Sequence, residues 1–192
     1  MADIWSDIDA GTPFNLTDCK VALWNSEGSF GTAQDVPAIK SMEITTNVVS
    51  GKAEGDGGVI AVASLVEDAS GVLTFTGISI DMWALITGTT KKAGGTTPNR
   101  YEAIAITPVG QCLPYFAVCG KAQSDQCGKD VHLWAPKIKV ESFGGVSLMK
   151  GGFIEGTINF IAIADGTTYE AVEWVTHETA TDVTIPVTYI TS

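Results

Sequence analysis

The chain has 192 residues, enough for one domain with a substantial core, and 45% hydrophobic against 17% charged residues excludes intrinsic disorder. With 22 Asp and Glu against 11 Lys and Arg the net charge is -11, and the only dense cationic cluster is Lys91-Lys92, so sequence reading of DNA is excluded too. Acids outnumber bases 12 to 3 in residues 1–88 and 10 to 8 in 89–192, and so few charges imply that partners cover part of the surface.

The opening residues, Met1 to Ala10, have neither the basic stretch nor the apolar core of a secretory signal. No apolar run approaches a membrane span, so neither export nor membrane binding is expected. Runs rich in Val, Ile, Thr and aromatics, punctuated by Gly, Asp, Asn and Ser, predict strands near 19–25, 41–53, 59–67 and 71–77. Strand 41–53 alternates: Met42, Ile44 and Val48 share one face, Glu43, Thr45 and Asn47 the other. Run 59–67 is apolar on both faces, which predicts a central strand or one covered by a neighbouring subunit.

Between these runs, glycine-rich 50–58 predicts an extended hairpin loop. Segment 78–88 is the one clear helix, with Ser79 as N-cap, Asp81 in its first turn and Gly88 where the chain must leave it. A long loop follows at 89–99, and loops of that length suggest a binding role. Further strands are expected near 101–108, 113–121, 131–141, 153–164, 168–177 and 183–190. Two of them alternate: Ile138 and Val140 oppose Lys137, Lys139 and Glu141, while Ile158 and Phe160 oppose Glu155, Thr157 and Asn159. The pattern is that of a mostly β, single-domain protein spanning 1–192.

Motifs for chemistry are missing. Gly55-Asp56-Gly57-Gly58 is followed by neither G-K-[ST] nor a helix, and it lacks the acidic spacing of a calcium loop. His132 and His177 lie on separate strands with no H-x-x-x-H pair and no cysteine at finger spacing, so no metal site is expected. A dyad of either histidine with a Cys or Ser, or a pair of carboxylates, would form only in space, and no motif marks one. Trp134, Phe160 and Trp174 read as sheet packing rather than sugar stacking. The cysteines at 19, 112, 119 and 127 form no C-x-x-C pair; buried free thiols are expected, with a structural disulfide as the alternative. No catalytic, cofactor-binding or metal-ligating residue is predicted, and no enzyme.

Phe30-Gly31-Thr32-Ala33-Gln34-Asp35-Val36-Pro37-Ala38-Ile39-Lys40 enters strand 41–53. Then come Lys52-Ala53-Glu54-Gly55-Asp56-Gly57, the strand from Gly71 to Gly77, and a helix ending Ala84-Leu85-Ile86-Thr87-Gly88. This order resembles the tail tube (major tail) proteins of long-tailed bacteriophages, over roughly residues 30–90, with a continued β pattern elsewhere. The resemblance implies an antiparallel β-sandwich or half-barrel with one short flanking helix, related to the Hcp-like tube fold. It also implies six copies per ring and rings stacked into a tube, an acidic channel through which double-stranded DNA passes during ejection without specific binding. Tape-measure, tail-tip and tail-terminator proteins would be partners, and the subunit would assemble in the host cytoplasm and reside in the virion.

On that reading Lys52, Glu54, Asp56, Lys91 and Lys92 are the candidate inter-subunit or inter-ring contacts. Glu43 and Glu155 are the candidate lumen-facing acids, because each begins a polar row opposite a core row; sixfold repetition would make each a ring of carboxylates. Lys137 and Lys139 are expected on the outer wall or in salt bridges between subunits. Alternative functions are another phage structural protein, for tail completion or head decoration, and a soluble β-sandwich binding module or hydrolase.

Overall fold

The computed structural model describes residues 13–56, 58–77, 79–106, 112–125, 129–147, 150–164, 166, 170–177 and 179–187. In chain order the elements are β1 (Pro13–Ser26), β2 (Ser29–Phe30), β3 (Gln34–Asp35), β4 (Ile39–Gly55), β5 (Gly58–Thr76), α1 (Ile80–Thr87), β6 (Lys92–Gly94), β7 (Tyr101–Ala103), β8 (Phe116–Ser124), β9 (Asp130–Ser147), β10 (Glu155–Ala162) and β11 (Glu173–His177). The chain is mostly antiparallel β with one short helix. Its main sheet runs β2-β1-β8-β9-β10-β5-β4, with β3 added to β1 and β11 to β9, and does not close into a barrel; β6 and β7 form a separate small hairpin.

Period-two alternation gives the sheet one broad apolar face and a smaller apolar patch on the other. On one, Cys19, Val21, Leu73, Phe75, Phe116, Val118, Ile138, Val140, Ile158 and Phe160 pack against Met82, Trp83 and Ile86 of α1. On the other, Ala117, Cys119 and Trp134 pack beneath Val183 and Val187 of the C-terminal segment. The helix begins where the Ser79 hydroxyl accepts the Met82 N–H at 3.3 Å. It ends at Gly88, whose φ of 68° suits glycine, with its N–H turned back to the Ala84 and Leu85 carbonyls. Trp83 then meets Phe75 edge-on, with ring centroids 6.0 Å apart, which seats α1 on the sheet.

Several expectations are corrected. Segments 59–67 and 71–77 are one continuous strand, β5, and its first half is not central: residues 58–67 are exposed. Val48 leaves the core row of Met42 and Ile44 because a register shift falls between Asn47 and Val48, and the strand there has passed the edge of the core. Most of 50–58 is paired strand, from Ser50 opposite Ser64 to Gly55 opposite Gly58, so only the tip is a turn. Loop 89–99 contains β6, held by β7. The strand expected at 101–108 shortens to 101–103, and 181–187 forms no strand; 107–108 and 188–190 lie outside the described residues. Cys19 and Cys119 are buried free thiols and Cys112 is an exposed one, while Cys127 lies outside the described residues.

Candidate functional site

The most unusual surface is the far half of the β4–β5 hairpin. Strand β10 pairs with β5 only from Ala69 to Thr76, so beyond Asp68 the two strands have only each other among the described residues. From Asn47 to Gly55 this arm reaches roughly 30 Å at the usual rise per residue. Both faces carry bare apolar side chains: Ile60 is 73% exposed, Leu65 72% and Val62 62%, with Val48, Val49, Val59 and Val66 also more than half exposed. Val48 stands opposite Val66 and Val49 opposite Leu65, pairs that supply β propensity but no core. Lys52 lies opposite Val62 and Glu54 opposite Val59, with Asp56 at the tip, and all three are exposed.

The other candidate contact residues are placed differently. The Lys91 ammonium is 2.7 Å from Asp81 in the first turn of α1 and 3.3 Å from Glu102 on β7, so it ties the 89–103 hairpin to its own helix. These two carboxylates raise its pKa. Lys92, next to it, is exposed.

Glu43 and Glu155 stand on one polar face of the sheet. The register runs from Glu43 to Val72, from Val72 to Asn159, and along β10 from Asn159 to Glu155. Glu43, Thr45, Glu141 and Asn159 line a shallow polar groove there. Glu155 is ion-paired with Lys40. Lys139 pairs with Ile161, two residues beyond Asn159, and so belongs to this same face. Its ammonium lies 4.8 Å from the Tyr115 ring, and that of Lys137 lies 4.2 Å from Trp24. Alternation and register thus put Lys139 on the same face of the sheet as Glu43 and Glu155.

A buried polar cluster escaped the sequence. On β9, Asp130 and His132 point the same way, and β11 brings His177 directly opposite Asp130. The two imidazoles are 4.5 Å apart between centroids, and all three residues are buried. Burial pushes the His132 pKa below the usual imidazole range, against the pull of Asp130. A single D-x-H triplet on one strand and a histidine ending another are the available signals, but only the β9–β11 pairing joins them.

No protein-family model matches the chain, and no curated protein matches it. Among solved structures it is similar to the SPP1 tail tube, determined by solid-state NMR and cryo-EM, at 16% identity and a TM-score of 0.38, covering 88% of this chain and 80% of that one.

Proposed function

We propose that this chain is a structural tail-tube subunit, and no enzyme, which works only as an assembly. The observation that carries the reading is the β4–β5 arm. A two-stranded ribbon is marginal in water by itself, and one exposing seven large apolar side chains is an aggregation hazard unless a partner covers it. The arm of one subunit lies against the sheet of its neighbour, with Lys52, Glu54 and Asp56 near its tip setting the register by charge. Lys92 supplies a further contact from the 89–103 hairpin; Lys91 contributes by fixing that hairpin.

Six copies per ring, stacking into a phage tail tube, the conduction of DNA, the tape-measure, tail-tip and tail-terminator partners and assembly in the host cytoplasm all follow the family resemblance over residues 30–90. In that arrangement the polar face with Glu43 and Glu155 lines the lumen. The lining is then mixed in sign: Glu43 and Glu141 form its acidic part, Glu155 is offset by Lys40, and Lys139 adds a cation. Low net attraction, rather than uniform repulsion, keeps DNA from sticking.

Sedimentation velocity over a concentration series, with negative-stain electron microscopy of the same samples, tests the proposal. Rings and tubes are expected as concentration rises. Caps or lattices without a tube would favour a decoration or completion protein, and a monomer at every concentration would refute assembly altogether.

A further inference from the structure

The Asp130, His132 and His177 cluster is oriented by contacts on its outer side. Asp130 Oδ2 accepts the Thr181 N–H at 2.7 Å and faces Lys121 Nζ at 3.0 Å. Lys121 also donates to the Thr181 carbonyl at 2.6 Å. Every group that orients the cluster therefore comes from outside it.

What remains inside is Asp130 Oδ1, His132 Nε2 and His177 Nε2, each buried and without a hydrogen-bond partner. They are three of the four such side-chain atoms among the described residues. A buried polar atom left unpaired costs about 1–3 kcal/mol, so three converging in one place call for a common occupant. Oδ1 is 3.5 Å from His132 Nε2, longer than a normal N–H···O bond, and a proton placed between them would still leave His177 unpaired.

We propose that Asp130, His132 and His177 form a buried site for a divalent transition-metal ion of the zinc type. The ion clasps β11 and the segment that follows it onto β9. Two imidazole nitrogens and one carboxylate oxygen are a zinc-like donor set, whereas magnesium and calcium select oxygen alone. The three ligand atoms lie within 4.8 Å of one another. Tetrahedral coordination at zinc bond lengths needs about 3.4 Å between ligand atoms, and Asp130 Oδ1 and His132 Nε2 already stand 3.5 Å apart. The fourth position is left to water. Lys121 and Thr181 on the outer oxygen of Asp130 are supporting contacts of the kind that hold metal ligands in aim. The site is independent of whether the chain builds a tube.

The test uses the full, untagged chain dialysed against a chelator and then titrated with zinc by calorimetry, with thermal unfolding in parallel. One ion per chain and a Tm that rises with zinc concentration are expected. Cobalt(II) in place of zinc should give visible d–d absorption of a four-coordinate site. His177→Gln should weaken zinc binding at least about 100-fold, since loss of a supporting contact alone costs 10–100-fold. A folded wild-type chain that binds no zinc, with a flat Tm, overturns the proposal. So does zinc binding that survives both His177→Gln and Asp130→Asn unchanged, or a high-resolution structure from zinc-containing buffer with water among the three residues.

Discussion

The ring of Phe75 lies across Gly156: a Cβ at 156 would stand 2.7 Å from ring atoms Cε2 and Cζ. The two residues are cross-strand partners on β5 and β10, and Phe160 covers Gly71 reciprocally on the same pair. Each glycine provides the space into which the neighbouring ring folds. Gly156→Ala is expected to lower stability by about 1–3 kcal/mol through overpacking, read from urea unfolding. An unchanged midpoint would show that the ring has room to move.

Thiol reactivity should separate sharply by position. Burial pushes Cys19 well above the ordinary thiol range and Cys119 to about 12, so neither supplies a thiolate near neutral pH. Cys112 is exposed. Alkylation of the native protein followed by peptide mass spectrometry should label Cys112 and leave Cys19 and Cys119 unmodified until denaturant is added. Rapid labelling of Cys119 would contradict the packing of Val183 and Val187 above it.

Glu173, at the start of β11, has its pKa raised from 4.5 to about 7, first by burial and then by the hydrogen bond and charge of Glu170. The folded state holds this proton more tightly than the unfolded chain, so the contribution is fully present below pH 4.5 and lost as pH rises to about 7. The Tm of Glu173→Gln relative to wild type should therefore climb across that window and level off above it. Parallel Tm profiles would mean that burial and Glu170 do not raise the pKa of Glu173 in the folded chain.

Features set by neighbouring residues alone are legible in the sequence. Ser79 and Gly88 bracket α1 because capping needs only neighbouring atoms, and Ile158 and Phe160 are core because strand alternation is a property of the backbone. Segment 59–67 was ambiguous for a physical reason: an apolar strand reads the same whether its own sheet or another molecule covers it. Val183 and Val187 mimic a strand yet serve as a lid over Trp134, since apolar side chains can fill a core without joining a ladder. The histidine cluster and the placement of Lys139 beside Glu43 both depend on which strands pair, and that is set by tertiary contacts rather than by any single run of residues.

On the proposed function, the β4–β5 arm is covered by another copy of the chain. Ile60 and Leu65 are the most exposed apolar residues on it, so charging them should leave the subunit fold intact. Ile60→Asp with Leu65→Asp, compared with wild type by sedimentation and electron microscopy at matched concentration, is the most direct measurement. A folded monomer is expected, with unchanged circular dichroism and Tm within a few degrees, that forms neither rings nor tubes. Normal tubes from the doubly charged protein would contradict the proposed function.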